Sequence, residues 1–199
     1  ASTTVNFDTG GFSDLGNYPW ARTAIEELSS KGIISGMGDS RFAPGEPLTR
    51  AQFAAMIVLA LEEKPLPVST VSFRDVRTAD WYYGFVEKAA RMGLINGYPD
   101  KTFGPNKTLS RQEMLAIVIQ AMGINTVAEN VPPDLLAPFA NETRISDWAR
   151  VHVAFAESLG ILEHGNIVLE TARGLAFDGK GNATRAEAAV TVYRMLQSR

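Results

Sequence analysis

The sequence predicts an all-α fold in which three tandem helix-loop-helix repeats surround a central three-helix bundle. A four-residue element recurs at residues 49–52, 110–113 and 184–187, and each copy opens an apolar run with helical spacing. The sequence around the element repeats as well, and units of this length are usually single supersecondary structures that cannot bury their apolar faces alone. Three such units predict one pseudo-threefold assembly within a single domain, residues 1–199.

The repeats occupy about residues 10–64, 71–125 and 137–199. The first two are in strict register, because every matched pair of residues is 61 positions apart. In the third repeat the offset from the second grows from 66 residues at Phe139 to 74 at Thr184, which predicts an insertion over residues 164–181. Two segments rich in proline and polar residues, 63–69 and 130–138, are the predicted linkers.

Each repeat begins with a predicted amphipathic helix, at about residues 20–30, 81–92 and 148–159. A glycine follows each helix, at positions 32, 93 and 160, where a C′ glycine would end it. A loop rich in glycine and proline comes next in the first two repeats. The second helix starts at the recurring element, and its apolar stripe is predicted to form the core, as Phe53, Met56 and Ile57 do in the first repeat.

The recurring element combines an expected feature with an unexpected one. A Thr or Ser followed three residues later by Gln or Glu is the capping-box pattern, in which both side chains satisfy backbone N–H groups at the helix start. The second residue of the element, Arg50, Arg111 or Arg185, is a cation in the first turn, which the helix dipole disfavours by about 0.3–1 kcal/mol. Each arginine therefore predicts a compensating anion: a carboxylate of the same chain, a bound carboxylate or phosphate, or both.

Composition argues against several classes of function. The net charge is only −3, so the chain lacks the electrostatic footprint of a nucleic-acid-binding protein. No apolar stretch reaches the roughly 18 residues of a membrane span, and Ala1 begins no signal-peptide pattern, which predicts a mature form or a fragment. His152 and His164 lack the spacing of metal ligands, and no carboxylates have the spacing of an acid–base pair. We therefore expect no metal, no cofactor and no enzymatic activity.

The motifs of this chain resemble those of the S-layer homology domain. The resemblance is carried by Phe-x-Asp, a tryptophan at the helix start, Gly-Leu-Ile or Gly-Ile-Ile, Gly-Tyr-Pro-Asp-x-Thr-Phe-x-Pro and Thr-Arg-Ala-Glu, and residues 93–113 are its most specific stretch. It covers nearly the whole chain as three tandem copies, and it implies a three-pronged spindle. The resemblance implies a secreted protein of the Gram-positive cell surface, located in the cell wall or S-layer. It also implies inter-repeat grooves that bind a secondary cell wall polymer of the peptidoglycan-linked wall, often through a terminal pyruvylated N-acetylmannosamine.

The resemblance also assigns glycan-binding residues by position. In the family the arginine of the Thr-Arg-Ala-Glu motif is a main ligand contact, and this role falls to Arg50, Arg111 and Arg185. A pyruvate ketal presents a carboxylate, which suits a guanidinium beside exposed helix N–H groups. Further candidates are Asp14, Asp75, Trp20, Trp81, Trp148, Gly36, Gly97 and Gln52. Alternatives stay open: the tryptophans as anchors of helices on the bundle, the aspartates as capping or orienting groups, and the glycines as turn residues.

Departures from the family pattern concentrate in the third repeat, which has Asn141 at the aspartate position and lacks the Gly-Tyr-Pro-Asp turn. Gln52 replaces the usual glutamate in the first repeat and still supports a capping box. We therefore predict two competent grooves, and we expect a groove built from the inserted loop to bind differently despite Arg185. The alternative function is a structural module of a surface layer that binds a protein partner, in which case the arginines would be satisfied internally.

Overall fold

The computed structural model describes residues 11–67, 71–126, 133–139, 143–172 and 174–199. Its helices are α1 (Arg22–Ser30), α2 (Arg50–Ala60), α3 (Tyr83–Arg91), α4 (Arg111–Ala121), α5 (Pro133–Leu136), α6 (Arg150–Ser158) and α7 (Arg185–Gln197). Two short strands, β1 (Leu169–Thr171) and β2 (Gly174–Ala176), form an antiparallel hairpin. The predicted all-α class is therefore confirmed, with this hairpin as the single sheet among the described residues.

The first helix of each repeat, α1, α3 or α6, lies within two residues of its predicted bounds. Each ends at the predicted glycine, which adopts the left-handed conformation with φ of 70° at Gly32, 73° at Gly93 and 67° at Gly160. A residue with a side chain would be strained there, and glycine is not. In the first repeat the N–H of Gly32 donates to Ser29 and the N–H of Ile33 donates to Leu28, so the helix ends with its carbonyls satisfied.

All three predicted capping boxes are confirmed, at the starts of α2, α4 and α7. At α2 the Thr49 hydroxyl accepts the N–H of Gln52 at 3.2 Å, and the Gln52 side chain accepts the N–H of Thr49 at 2.9 Å. The three starts are also joined by a closed ring of backbone hydrogen bonds. Leu48 donates to Ala183, Ala183 to Leu109, and Leu109 back to Leu48, over 2.8–2.9 Å. The ring holds the three helix starts together around one point.

The helices pack in a cyclic order. The second helices of the repeats, α2, α4 and α7, contact one another pairwise, as a central bundle requires. The first helix of each repeat packs on the second helix of the preceding repeat: α3 on α2, α6 on α4, and α1 on α7. The last contact joins the two ends of the chain. No repeat therefore buries its apolar surface alone, while the three-pronged outline of the molecule stays a prediction.

Two segments differ from their predictions. Residues 133–138 of the second predicted linker form α5 and the start of a 3₁₀ turn, and α5 packs on α6. The predicted insertion in the third repeat contains the β1–β2 hairpin, whose first strand is exposed along its whole length. Neither short element carried a periodic pattern long enough to be read from the sequence. Asn141, the predicted departure of the third repeat, lies outside the described residues.

Candidate functional site

Arg50 of α2 reaches across to the second repeat. Its Nε donates to the carbonyl of Phe103 at 3.0 Å, and its Nη2 donates to the carbonyl of Asn96 at 3.2 Å. Its guanidinium lies 4.8 Å from the centre of the Phe103 ring. A single carboxylate oxygen, from Glu113 of α4, lies 3.5 Å from Nη1. Arg50 thus links two repeats, and one distant carboxylate partly compensates its charge.

Arg111 of α4 reaches in the same way to the third repeat, but it meets two carboxylates there. Glu187 of α7 accepts from Nε at 3.0 Å and from Nη2 at 2.7 Å, a bidentate pair. Asp178, from the loop of the third repeat, places an oxygen 3.8 Å from Nη1. The Glu187 side chain is only 7% exposed, so water weakens this pair little. The chain itself supplies the compensating anions predicted for Arg111.

Arg185 of α7 closes the cycle by reaching to the first repeat. Its Nε and Nη2 donate to the carbonyls of Phe42 and Ser35, each at 2.8 Å, and its guanidinium lies 4.4 Å from the centre of the Phe42 ring. Burial, which leaves the residue 7% exposed, lowers the pKa of Arg185, and the negative charge of Asp14 opposes that shift. Within the described part of the chain, no carboxylate oxygen lies within 4 Å of this guanidinium.

The reason for this difference is the third residue of the facing helix. Arg50 faces Glu113, and Arg111 faces Glu187, each at the third position of the next core helix. The corresponding position opposite Arg185 is Gln52, whose amide serves the capping box and carries no charge. Gln52, which stands where the family pattern has glutamate, therefore leaves Arg185 without the close carboxylate that the other two arginines have.

The structure corrects the predicted pairing of arginines with loops. The inserted loop of the third repeat was expected to lie in the groove of Arg185. Instead, each arginine contacts the loop of the following repeat, so Asp178 and the inserted loop meet Arg111. Arg185 meets the regular loop of the first repeat, and Arg50 meets that of the second. The cyclic packing order causes this shift by one repeat.

The exposed helix N–H groups expected beside the arginines are already occupied. At α2 the N–H of Arg50 donates to Lys107, that of Ala51 donates to Pro105, and that of Gln52 donates to the Thr49 hydroxyl. The first N–H groups of α4 and α7 likewise donate to loop carbonyls of the following repeat. The expectation of a helix-terminus cradle was therefore wrong, and a bound anion would meet arginine side chains rather than backbone amides.

The two motif aspartates hold the loops that the arginines contact. Asp14 accepts the N–H groups of Phe42 and Ala43 at 2.9 and 2.8 Å, and Asp75 accepts those of Phe103 and its neighbour at 2.7 and 2.8 Å. The backbone N–H groups lower the pKa of Asp14, against the effect of burial. Each aspartate thus holds the peptide whose carbonyl accepts from Arg185 or Arg50, and so it orients that arginine. Neither aspartate caps a helix.

The two loop glycines face aromatic rings. A Cβ on Gly36 would lie 2.7 Å from the Phe12 ring, and a Cβ on Gly97 would lie 2.5 Å from the Phe73 ring. Neither glycine has positive φ, so close packing, not turn geometry, requires glycine here. Their direct contact with glycan stays a prediction.

The three tryptophans are not equivalent. Trp20 is half-buried against the core, 6.3 Å between ring centres from Tyr18, which is the anchoring role. Trp81 and Trp148 are 62% and 53% exposed and present aromatic faces to solvent. Such faces are available for stacking on sugar rings, and that role stays a prediction for both residues.

Sequence reasoning missed the carbonyls of Phe42 and Phe103, because a backbone acceptor leaves no mark on residue type. It also missed that Gln52 places a neutral side chain where Glu113 and Glu187 place a charged one. A comparison of the third helical position between the repeats would have shown this difference. Among the described residues, no cluster of His, Cys, Asp and Glu is placed to hold a metal ion, and no helix is long and apolar enough to cross a membrane.

Comparison with known proteins agrees with the repeat pattern. The family model described as S-layer homology domain matches residues 11–54 and 72–115, the first and second repeats. The third repeat is predicted from internal similarity and lies outside these matches.

Three relatives illustrate where such segments occur. The chain is 36% identical to an amylopullulanase of Thermoanaerobacterium thermosulfurigenes over 99% of its own length and 11% of that protein. It is 30% identical to the surface layer protein of Brevibacillus choshinensis over 61% of the chain and 11% of that protein. It is 26% identical to a surface-layer 125 kDa protein of Lysinibacillus sphaericus over 94% of the chain and 15% of that protein.

The chain thus spans only 11–15% of the length of these relatives. In the amylopullulanase, as in the other two, most of the protein lies outside the matched segment. S-layer homology domains are non-catalytic modules of secreted proteins at the cell surface and cell wall, and they bind cell wall polymers. Residues 11–54 and 72–115 therefore match the S-layer homology domain.

Proposed function

We propose that this chain attaches a surface protein to the wall by binding a pyruvylated, N-acetylmannosamine-containing secondary polymer in its inter-repeat grooves. The observation that carries the proposal is the state of Arg185, a residue that is only 7% exposed and has no carboxylate oxygen within 4 Å among the described residues. By position in the repeat, its partner would be Gln52, where the other two arginines pair with a glutamate. A buried cation without an ionic partner is costly, and a ligand carboxylate would remove that cost. The pyruvate ketal supplies such a carboxylate.

Arg185 keeps N–H donors that can bind a ligand carboxylate. A guanidinium has five N–H groups in one plane, and two of these are used by the carbonyls of Phe42 and Ser35. The carbonyls also fix the plane of the group, so a ligand carboxylate would meet donors that are already oriented. A hydrogen bond that involves a charged group contributes about 1.5–3 kcal/mol, which is enough to distinguish a pyruvylated sugar from a neutral one.

The three grooves are expected to differ in affinity for a carboxylate. Arg185 has no carboxylate oxygen within 4 Å among the described residues, Arg50 has one at 3.5 Å, and Arg111 has a bidentate glutamate and a second carboxylate at 3.8 Å. The grooves of Arg185 and Arg50 are therefore the two competent ones in this proposal. The groove of Arg111, which includes the inserted loop, is the internally neutralised one.

The proposal is tested by calorimetric titration with a pyruvylated N-acetylmannosamine glycoside and, separately, with the same glycoside without pyruvate. Arg185→Ala should abolish the tightest binding, and Arg50→Ala should remove the weaker site. Arg111→Ala is the matched control, because it removes an equivalent inter-repeat arginine from the neutralised groove. Circular dichroism and thermal unfolding must show that each variant is folded, since every arginine also links two repeats.

Two results would overturn the proposal. Equal affinity for the glycosides with and without pyruvate would show that the carboxylate is not recognised. Loss of binding in Arg111→Ala alone would place the site in the wrong groove. If neither glycoside nor isolated wall polymer binds the folded chain, the module instead meets a protein partner, which is the alternative function.

A further inference from the structure

The second repeat contains an open pocket of about 480 Å³ that the motif arginines do not line. Its walls are Asp75, Arg77, Asp80 and Tyr82 on one side and residues 104–107 on the other. The size falls within the range of roughly 300–1,000 Å³ that is typical of small-molecule sites. The same loop contacts the Arg50 groove, because the N–H of Arg50 donates to the carbonyl of Lys107.

This pocket is a feature of the second repeat and not of the shared motif. In the first repeat the positions of Ala79 and Asn106 are Tyr18 and Gly45, and the Tyr18 hydroxyl lies so close to Gly45 that a Cβ there would clash. Tyr18 thus fills the corresponding space. In the second repeat Ala79 is small at this position, and the tyrosine of the pocket wall is instead Tyr82, where the first repeat has alanine.

The polar residues of the pocket also differ between the repeats. Arg77, Asp80 and Lys107 stand where the first repeat has glycine, proline and glutamate. Arg77 and Asp80 bind each other, and Lys107 packs on Tyr98 of the same repeat. The pocket of the second repeat therefore contains two cations and a carboxylate at positions where the first repeat has a single charged residue.

The pocket presents acceptors and donors in balance. Asp80, with its side chain 9% exposed, is held by the Arg77 guanidinium at 2.8 Å and by the Arg77 N–H at 2.8 Å. Asp75 accepts two loop N–H groups. A carboxylate has about four lone-pair positions, so Asp75 keeps acceptor capacity, whereas three N–H groups of Arg77 already occupy Asp80. Arg77, 83% exposed, and Lys107, whose Nζ lies 4.1 Å from the centre of the Tyr98 ring, keep donors.

The charges favour a neutral ligand. Two carboxylates and two cations give the lining no net charge, so the pocket has no overall electrostatic preference for an anion or for a cation. A ring that carries several hydroxyl groups both donates and accepts hydrogen bonds, and each hydroxyl can pair with one group of each kind. A neutral pyranose is the common ligand class that has these properties.

We propose that the pocket between Asp75, Asp80 and Lys107 is a separate sugar subsite that binds a neutral pyranose unit of the wall polymer. The proposal rests on the glycan-binding function proposed above, and it extends that function from a charged terminal unit to a neutral one. Because residues 104–107 contribute to both the pocket and the Arg50 groove, one polymer chain can occupy the two sites across this loop.

The test is a two-ligand titration of the full chain, followed by backbone amide chemical shifts. The methyl glycoside of N-acetylmannosamine, which is neutral, should shift the amides of residues 104–107 and 77–80. The pyruvylated glycoside should shift amides beside the motif arginines. The double variant Ala79→Tyr with Asn106→Gly introduces the tyrosine and the glycine of the first repeat, and it should weaken binding of the neutral glycoside at least tenfold. Thr78→Tyr, which adds a tyrosine at an exposed residue outside the pocket lining, is the matched control and should bind like the original chain.

The outcomes separate the two proposals. If the neutral glycoside leaves the amides of residues 104–107 unchanged, or if the double variant binds it as tightly as the control, the pocket is not a sugar subsite, whatever the pyruvylated glycoside does. If the neutral glycoside shifts these amides but the pyruvylated one leaves the arginine grooves unchanged, the subsite stands and the carboxylate proposal fails.

Discussion

Gly36 and Gly97 let the loop of each repeat approach a phenylalanine of the same repeat, Phe12 or Phe73. The Phe73 ring and the carbonyl of Thr102 both lie within 2.8 Å of where a Cβ on Gly97 would stand. The Thr102 carbonyl cannot move without disturbing the bond that it accepts from Tyr98 at 2.7 Å. The glycines therefore serve the placement of the loop that carries the carbonyl acceptors of the arginines.

Gly97→Ala should destabilise the chain by about 1–3 kcal/mol, because overpacking forces the ring or the loop to shift. The measurement is the free energy of unfolding in urea. Gly16→Ala is the control, since no atom lies within 4 Å of a Cβ at Gly16 and its φ is not positive. Equal stability of the two variants would contradict this account of the loop.

The two histidines of the chain lie in opposite environments. His164, in the inserted segment, has Nε2 at 2.9 Å from Glu157 of α6 and Nδ1 at 3.4 Å from Glu170 of β1. The hydrogen bond to Glu157 is the main cause that raises the pKa of His164. Burial lowers the pKa of His152, whose Nδ1 has no hydrogen-bond partner among the described residues.

Proton NMR should therefore show His164 titrating above the ordinary value of about 6.5 and His152 titrating below it. Because the folded-state pKa of His164 is raised, its stabilising effect is complete below pH of about 6.5 and is lost as the pH rises through the folded-state pKa. His164→Gln should thus cost stability at pH of about 5.5 and almost none at pH of about 9. The cost should be at most about 1 kcal/mol, since the His164 side chain is 38% exposed. The reverse order of the two pKa values would contradict the pairing.

The ends of the helices were well predicted from the sequence, because only a few residue types suit the backbone at a helix end. Capping boxes and C′ glycines marked the helix ends within two residues, because few other residues satisfy those backbone groups. The β1–β2 hairpin and α5 were not predicted, since elements of three or four residues contain too few periods of the strand or helix pattern to be recognised.

The candidate site was predictable only in part for a related reason. The three arginines stand out in the sequence because a cation is disfavoured at a helix start. Which loop each arginine contacts depends on the packing order of the repeats, and this order is not written in any single repeat. For that reason the inserted loop was assigned to Arg185, whereas it lies at Arg111.

The whole molecule depends on closure of the ring between its first and last helices. The buried face of α1, formed by Ala24, Ile25 and Leu28, lies against α7, which is at the other end of the chain. The ring of bonds that joins Leu48, Leu109 and Ala183 also needs all three repeats. Removal of one repeat therefore exposes apolar surface in a repeat far away in sequence.

A chain truncated to residues 11–126 should keep α3 folded on α2 and lose protection of α1. Hydrogen exchange of backbone amides measures this, with α3 as the internal control because its partner α2 is retained. Amides of α1 should exchange far faster than in the full chain, and those of α3 should change much less. Unchanged protection of α1 would show that the repeats fold independently.

In the proposed function, Gln52 leaves Arg185 available to a ligand carboxylate. Gln52→Glu tests it most directly, because glutamate keeps the capping box and gives Arg185 the ionic partner that Arg50 and Arg111 already have. The measurement is calorimetric titration of the original chain and of Gln52→Glu with pyruvylated N-acetylmannosamine glycoside. We expect Gln52→Glu to be at least as stable as the original chain. It should bind the pyruvylated glycoside at least tenfold more weakly, a loss of about 1.4 kcal/mol or more in binding free energy. Unchanged affinity in a folded Gln52→Glu variant would contradict this expectation.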